Sequence, residues 1–265
     1  MTADMSPRIS LVSESLVFAG RHVSRWRIEP VVPIQSVAFP TLLLIVYYLL
    51  VGESMVTMTG TDNLTGLVPV CALAGGMIGA LGAGFAVPFE RGSGLLSRLW
   101  TFPVHRASAL IGRLLAEAAR TLVAVAVITA VGVALGLRFK GSWLAVIPFL
   151  LVPVVVVLVF ATVVLTVALA AKGTSVNAVF TWLASGSIGL VFASSGVAPI
   201  DTLPSWLRPV IQYQPMSQAI ESMRAFAEGT SALWPLTLTF AWALGVAAVF
   251  GPLAVRNYRL AAEGG

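Results

Sequence analysis

The chain has 265 residues, of which 58% are apolar and only 10% are charged, and its mean hydropathy is +0.93. Soluble globular domains are about 45–50% apolar and about 25% charged, so this composition excludes an ordinary soluble domain and indicates a polytopic membrane protein. The single cysteine, Cys71, excludes an internal disulfide bond and a cysteine-based metal cluster.

The stretch from Arg8 to Arg27 is predicted to form an amphipathic helix on the cytoplasmic membrane surface, with a disordered tail as the alternative. Apolar side chains recur there at near-helical spacing, and several arginines lie nearby. The apolar residues are Ile9, Val12, Leu16 and Val23. Trp26 follows them and suits the membrane interface. Residues 1–30 are therefore expected to be an interfacial segment beside a transmembrane domain of residues 31–265.

Six apolar segments are long enough to cross a bilayer core of about 30 Å as helices. Their approximate limits are Val31–Val51, Leu64–Val87, Ala107–Leu137, Trp143–Ala171, Val176–Val197 and Leu233–Val255. Prolines inside several segments do not exclude helices, because neighbouring helices can satisfy the freed carbonyl groups. The expected fold is an all-α polytopic membrane protein with six transmembrane helices.

The positions of Lys and Arg predict the orientation of these helices. With the N-terminus in the cytoplasm, twelve of the 16 Lys and Arg residues lie on the cytoplasmic side and four lie outside. Both termini are therefore expected in the cytoplasm, and the chain is expected to be a multi-pass protein of the plasma membrane.

Seven charged residues concentrate between Phe89 and Arg120, where the second span ends and the third begins. Arg106, Arg113 and Arg120 are spaced by seven residues, so they drift by only about 20° per step around a helix. Glu117 lies four residues after Arg113 and three before Arg120, so it can pair with both. The spacing predicts an ion-pair stripe. Because an unpaired arginine at membrane depth costs at least about 2.5–3.5 kcal/mol, the stripe must lie in the cytoplasm or face protein.

Upstream of the stripe, Leu95, Leu96 and Leu99 form an apolar face on a short predicted helix that ends before Pro103. The helix is too short to cross a membrane. Its apolar face carries Trp100 and an arginine, which are residue types enriched at the centres of protein interfaces. This face is expected to lie on lipid or to dock another protein.

The sequence lacks the motifs of common catalytic sites. It contains no G-x-x-x-x-G-K-[ST], H-E-x-x-H or G-x-S-x-G motif, and His22 and His105 lack metal-ligand partners at useful spacing. Gly75 and Gly79 fit close helix packing better than phosphate binding. Most span centres also lack ionisable residues, which disfavours a proton relay and favours an apolar or amphipathic substrate. The chain is expected to be non-catalytic and to bind no metal.

The connection between the fifth and sixth spans, residues 198–231, is unusually long and is interrupted by four prolines. Trp206, Leu207 and Ile211 are apolar enough to enter the outer leaflet, and a short amphipathic helix is predicted after them. An outer re-entrant segment is expected, with an ordinary surface loop as the alternative.

The stretch E-R-x-x-G-x-L-x-x-L-x-x-x-P-V-x-R, from Glu90 to Arg106, resembles the hallmark of the ABC-2 (type V exporter) permease family. The outer stretch L-P-x-W-L-R-P, from Leu203 to Pro209, agrees with this resemblance. Within the family the chain is most similar to permeases of the daunorubicin-resistance type.

This resemblance implies that residues 89–106 form a coupling segment that inserts into a separate ATPase subunit. The implied coupling residues are Glu90, Arg91, Leu95, Leu96, Arg98, Leu99, Trp100, Phe102 and Pro103. A cargo path between permease subunits is assigned to Tyr47, Tyr48, Asn177, Trp182 and Ser185. An outer gate is assigned to Trp206, Leu207, Ile211 and Pro215.

The resemblance also implies the partners. A dimer of identical or homologous permease subunits would work with two copies of the ATPase, which would bind ATP and Mg²⁺, while this chain would bind no cofactor and no nucleic acid. The cargo would be a lipid or amphipathic drug that crosses the lipid bilayer, such as a phthiocerol dimycocerosate-like lipid or an anthracycline-like antibiotic.

Two other classes of function remain open at this point. The first is a secondary transporter or channel that needs no ATP, and the second is a membrane scaffold that only anchors a partner. Sensitivity of transport to a protonophore would favour the first alternative, and substrate-stimulated ATPase activity in a reconstituted complex would exclude the second.

Overall fold

The computed structural model describes residues 10–59, 64–94, 105, 107–171, 175–197 and 204–263. Within these residues it contains nine α-helices, one short 3₁₀-helix (Trp143–Ala145) and no β-strand. The helices are α1 (Leu11–Arg25), α2 (Val31–Thr59), α3 (Leu64–Gly92), α4 (Ser108–Leu135), α5 (Val146–Ala170), α6 (Ser175–Phe192), α7 (Arg208–Tyr213), α8 (Pro215–Glu228) and α9 (Leu233–Glu263). The all-α prediction is confirmed for this part of the chain.

Within the described residues, five stretches are long and apolar enough to cross a membrane. They are Val31–Leu50, Leu64–Gly92, Ser108–Leu135, Trp143–Ala170 and Leu233–Ala262. The predicted fifth span corresponds to α6, whose 18 residues reach about 27 Å at about 1.5 Å per residue, slightly less than a bilayer core of about 30 Å. A sixth crossing therefore stays a prediction.

Helix α3 lies at the centre of the bundle and packs against α2, α4, α5, α6 and α8. Of its most apolar stretch, 72% is buried. Small residues allow this packing, since a Cβ atom at Gly75 would lie only 2.5 Å from the carbonyl oxygen of Ser36 in α2. Helix α3, which carries Gly75 and Gly79, is thus the helix that the others surround.

Ser10 caps the N-terminus of helix α1, and its hydroxyl accepts a hydrogen bond from the backbone N–H of Ser13 at 3.3 Å. One face of α1, with the buried residue Glu14, packs on α4 so closely that a Cβ atom at Gly112 would overlap Phe18. The predicted apolar stripe points the other way, since Leu16 is 59% exposed. The stripe is therefore free to contact lipid while the opposite face holds α1 to the bundle.

The bundle has two ends, which we call the basal end and the distal end and define by the helices found there. At the basal end lie α1, the end of α3 and the start of α4. At the distal end lie α7 and α8, where the backbone N–H of Lys140 donates to the carbonyl oxygen of Ala227 at 2.8 Å. Helix α8 contributes buried apolar side chains to the main core, among them Ile220 and Met223. The described part of the 198–231 connection is therefore packed into the bundle, and its re-entrant course stays a prediction.

Candidate functional site

Glu90, in the last turn of α3, accepts hydrogen bonds from arginines of two other helices. Nη1 of Arg113 in α4 lies 3.0 Å from Oε2 of Glu90, and Nη1 of Arg25 in α1 lies 3.4 Å from Oε1. Arg113 also donates through Nη2 to the carbonyl oxygen of Ala83 at 3.3 Å. The Glu90 side chain is 13% exposed, so solvent screens these contacts less than it screens surface ion pairs. Glu90 thus joins α1, α3 and α4 at the basal end.

The next residue, Arg91, ties the same end of α3 to a fourth helix. Its Nη1 donates to the carbonyl oxygen of Leu169 in the last turn of α5 at 3.2 Å. Carbonyl groups in the last turn of a helix have no partner within the helix, so an arginine placed there satisfies one of them. The chain therefore leaves α3 from a point that contacts α1, α4 and α5 together.

The arginines of the predicted ion-pair stripe pair with two different glutamates. Arg113 makes its ion pair with Glu90 instead of Glu117. Glu117 pairs with Arg120, whose Nε lies 3.3 Å from Oε2 of Glu117 and whose Nη2 contacts Oε1. The side chains of Arg120 and Glu117 are 3% and 7% exposed. The first member of the stripe, Arg106, lies outside the described residues.

The pair formed by Glu117 and Arg120 is buried against the middle of α3. Nη2 of Arg120 donates to the carbonyl oxygen of Gly76 at 3.2 Å, and a Cβ atom at Gly79 would overlap the guanidinium group. Gly79 is near the centre of Leu64–Gly92, one of the candidate spans. The pair therefore faces protein within a candidate span. Charges at such a depth are costly, and those that occur are commonly functional.

Glu14 of α1 is held by the residue that precedes α4. The backbone N–H of His105 donates to Oε2 of Glu14 at 2.8 Å, and Nδ1 of His105 lies 3.1 Å from the same oxygen. The backbone hydrogen bond, followed by the side-chain contact, lowers the pKa of Glu14 below its ordinary value of 4.5. Glu14 is thus an ionised anchor between α1 and the start of α4.

His22 lies on α1 near Glu90 and Arg113. Burial lowers the pKa of its imidazole to about 4, and the positive charge of Arg113 acts in the same direction. His22 is therefore neutral at pH 7. In the part of the chain that the structure describes, no group of three or more His, Cys, Asp or Glu side chains is placed to hold a metal ion.

The coupling residues predicted from sequence are only partly described. Glu90 and Arg91 occupy the positions given above. The others lie outside the described residues: Leu95, Leu96, Arg98, Leu99, Trp100, Phe102 and Pro103. Their docking role stays a prediction.

The predicted cargo path is not gathered into one site within this chain. Tyr47 and Tyr48 of α2 pack against the main core. Asn177, Trp182 and Ser185 are exposed on α6, and Trp182 is 79% exposed. Their role in a cargo path stays a prediction.

The predicted gate residues differ in burial. Trp206 is exposed, Leu207 and Pro215 are half-buried, and Ile211 is buried in α7. They lie before and within the two short helices of the distal end. Their position is compatible with a gate, and their function stays a prediction.

Sequence reasoning did not assign a role to Arg25, Glu14 or Gly112. Apolar periodicity indicates the outward stripe of α1 and gives no signal for the opposite face, where Glu14 and Ser15 are buried. A small residue such as Gly112 on the facing helix was the available signal for a close contact. The ion pair between Arg25 and Glu90 joins residues 65 positions apart, a distance that helix periodicity does not address.

The sequence model of the family described as ABC-2 type transporter matches residues 15–227. The chain therefore belongs to the ABC-2 type transporter family. With five apolar helices of spanning length, it is a multi-pass protein of the plasma membrane.

Among named relatives, the chain is 35% identical over 251 residues to the probable doxorubicin resistance ABC transporter permease protein DrrC of Mycobacterium tuberculosis. This match covers 94% of the chain and 90% of that protein. The daunorubicin resistance ABC transporter permease protein DrrB1 of Streptomyces coeruleorubidus is 28% identical over 258 residues, which cover 95% of the chain and 88% of DrrB1. The putative transport permease ycf38 of Cyanophora paradoxa is 24% identical over 230 residues, which cover 86% of the chain and 78% of ycf38.

Proposed function

We propose that this ABC-2 permease exports a lipid or an amphipathic drug and that a separate ATPase subunit supplies the energy. Relatives named for doxorubicin and daunorubicin resistance support an amphipathic cargo. The sequence has no phosphate-binding loop of its own, so ATP and Mg²⁺ are assigned to the partner. A phthiocerol dimycocerosate-like lipid and an anthracycline-like antibiotic are the two cargo classes to compare.

The contacts of Glu90 are the observation that carries this proposal. Residues 89–106 are proposed to insert into the ATPase, and Glu90 lies at the start of this segment. Because Glu90 contacts Arg25 and Arg113, a displacement of the segment acts on α1 and α4 as well as on α3. Arg91 adds α5 to the helices that move together. When ATP closes the ATPase pair, the resulting movement thus reaches α1, α3, α4 and α5 through the adjacent side chains of Glu90 and Arg91.

The orientation and assembly follow from the same proposal. The basal end faces the cytoplasm, where the ATPase is, and both termini are cytoplasmic. Two permease subunits, identical or homologous, assemble with two ATPase copies. The exposed face of α6, with Trp182, lies beside the second subunit and lines the cargo path, and the distal helices α7 and α8 form the outer gate.

The coupling role is tested by changing the proposed contact surface. Leu99→Asp combined with Trp100→Ala should abolish co-purification of the ATPase and reduce ATP-driven export of doxorubicin to background. The matched control is Trp143→Ala combined with Leu144→Asp, which makes the same two changes at exposed residues of the distal end. The control should retain ATPase association.

Three outcomes separate this proposal from its alternatives. Unchanged ATPase association and export in the Leu99/Trp100 variant would refute the coupling role. Export that persists after ATP depletion and stops with a protonophore would indicate a secondary transporter. An ATPase that binds but is never stimulated by cargo would indicate a scaffold.

A further inference from the structure

The two short helices of the distal end differ in how firmly they are held. Helix α8 packs against α3, α5, α6 and α9, and nine of its 14 residues are buried. Helix α7 is mostly exposed: of its six residues, Ile211 alone is buried, and Val210 is 63% exposed. Helix α8 is thus part of the bundle core, whereas α7 lies on the surface of the bundle.

Polar contacts fix α8 to the turn that follows α6. The backbone N–H of Ser195 in this turn donates to Oγ of Ser217 at 3.1 Å, and Nη2 of Arg224 donates to the carbonyl oxygen of Ser195 at 3.2 Å. The packing beside these hydrogen bonds is close, since a Cβ atom at Gly196 would lie 3.0 Å from the side chain of Ile220. The turn after α6 and α8 therefore form one packed unit.

The chain bends at Gln214, the residue between α7 and α8. Its backbone is extended, with φ −65° and ψ 151°, as is usual for a residue that precedes a proline. Pro215, which begins α8, has no N–H group, so it cannot continue the hydrogen bonding of α7. Nε2 of Gln214 donates to the carbonyl oxygen of Ala193, the residue after α6, at 2.7 Å. The bend is therefore a point of fixed position about which α7 can turn.

Hydrogen-bond donors from two other helices set the direction of α7. Nε1 of Trp242 in α9 donates to the carbonyl oxygen of Tyr213 at 2.9 Å. The amide of Gln218 in α8 donates to the carbonyl oxygen of Gln212. Both carbonyl groups lie in the last turn of α7, where a helix leaves its carbonyls without internal partners. Because helix carbonyls point along the helix axis, donors at this end hold the axis in one direction.

The hydrogen bond of Trp242 is more accessible to water than those of α8. The side chains of Trp242 and Tyr213 are exposed, whereas Ser195 and Ser217 are buried. Water can replace the indole as donor to the carbonyl group of Tyr213, so the release of α7 exchanges one hydrogen bond for another. Separating α8 from the turn after α6 would instead leave buried polar groups unpaired. Release of α7 is therefore the less costly movement.

We propose that α7 is a hinged flap, which turns about Gln214 and is held closed by Trp242, while α8 stays fixed in the bundle. Gln214 and Trp242 are positioning residues for this flap. Turning α7 outward removes Ile211 from its buried position and leaves the contacts between Ser195 and α8 intact.

The hinge divides the outer gate into a moving part and a fixed part. Helix α7 is the part that moves, and α8 is the frame on which α7 closes. This gate role rests on the proposed function, whereas the hinge itself does not. The experiment therefore measures the hinge first, without transport, and the gate role in a separate arm.

The test measures how fast a water-soluble maleimide labels a cysteine in α7 or in α8, with the full permease in lipid nanodiscs. Ile211→Cys places the thiol in α7 and Ile220→Cys places it in α8, both at buried positions. The native Cys71 is buried and common to both variants. Trp242→Phe removes the indole donor and keeps an aromatic ring. It should accelerate labelling at position 211 about three- to tenfold, as expected for the loss of one hydrogen bond, and leave position 220 unchanged.

Trp234→Phe is the matched control, because it makes the same substitution at an exposed tryptophan of the same helix. It should leave both labelling rates unchanged. Equal acceleration at positions 211 and 220 by Trp242→Phe would mean that the distal end loosens as a whole and would overturn the proposal. An unchanged rate at position 211 would also overturn it.

Hydrogen exchange gives the same comparison without added cysteines and decides if a cysteine variant fails to fold. The backbone amides of α7 should exchange faster than those of α8. Trp242→Phe should accelerate exchange in α7 alone. Equal exchange in the two helices, or acceleration in both, would contradict the hinge.

The gate role is tested by adding the ATPase and ATP to the Ile211→Cys variant. Faster labelling at position 211 during ATP turnover would support both the hinge and the proposed function. A rate that responds to Trp242→Phe but not to ATP would count against the proposed function and still support the hinge. A rate that responds to neither would overturn the hinge.

Discussion

The guanidinium group of Arg120 occupies the space that a side chain at Gly79 would fill. The two residues belong to different helices, α4 and α3, and meet near the centre of a candidate span. Arg120 is further fixed by Glu117 and by the carbonyl oxygen of Gly76. The absence of a side chain at residue 79 is therefore what admits a buried ion pair between the two helices.

Gly79→Ala should destabilise the permease by about 1–3 kcal/mol, because the added methyl group displaces a buried side chain that has no free space. The change should lower the unfolding temperature of the purified protein in detergent. Gly186→Ala is the control, since a Cβ atom there meets nothing within 4 Å and alanine favours a helix. Equal unfolding temperatures for the two variants would contradict the packing described here.

Glu117→Leu should be more damaging, with a cost of about 3–5 kcal/mol, because it leaves the charge of Arg120 buried without a partner. Adding Arg120→Met should recover most of this loss, since replacing both charges by apolar groups avoids the desolvation penalty. Thermal unfolding of the single and double variants measures both effects. A double variant no more stable than the single one would show that the pair does not act through charge balance.

Glu90→Gln should lower ATP-driven export at unchanged permease abundance by about fivefold or more, because hydrogen bonds to charged groups contribute about 1.5–3 kcal/mol. Arg113→Gln should have the next largest effect. Arg25→Gln should have the smallest, because Arg25 is 46% exposed and its contact with Glu90 is longer, at 3.4 Å. Glu29→Gln, at a residue that is 62% exposed, serves as the control. The reverse order of effects would argue against Glu90 as the link between helices.

Stability should fall as the pH is lowered from 7 to 5, because of His22. Its pKa is about 4 in the folded protein against an ordinary value of 6.5, so the unfolded state binds more protons between these values. The loss begins near pH 6.5, ends near pH 4 and amounts to about 1–3 kcal/mol. Unfolding temperatures at pH 7 and pH 5 measure it, and His22→Gln should flatten the dependence.

Glu14 should not contribute to the loss of stability between pH 7 and pH 5. Its folded-state pKa lies below 4.5, so the stability that it provides is present above the ordinary carboxyl range and is lost only as the pH falls through that lowered value. Glu14→Gln should therefore lower stability at pH 7 and leave the difference between pH 7 and pH 5 unchanged. A changed difference would place the titration on Glu14 instead of His22.

Sequence reasoning located the helices well because long apolar runs specify helices in a membrane environment. The third span was predicted at Ala107–Leu137 and is observed at Ser108–Leu135. Helix ends were less accurate when polar residues continued the helix. Helix α2 runs on to Thr59 and α9 to Glu263, past the ends of the apolar stretches.

Pairing between helices was harder to predict than the helices themselves. The spacing of residues within α4 suggested Glu117 as the partner of Arg113, yet Glu90 of α3 takes that position. Spacing within one helix constrains only neighbours on that helix, whereas the three-dimensional packing of α3 against α4 sets the choice between carboxylates. The role of Gly79 in admitting Arg120 depends on the same packing.

The contact between Glu14 and His105 has a consequence for how the protein is made. The two residues are 91 positions apart, and ribosomes add about 5–20 residues per second, so α1 waits about 5–20 seconds for its anchor. Helix α1 is thus docked only after two long hydrophobic helices, α2 and α3, have followed it. During that interval its buried face has no partner in the chain, so the nascent protein exposes a polar anchor that the lipid surface or the insertion machinery must hold in place.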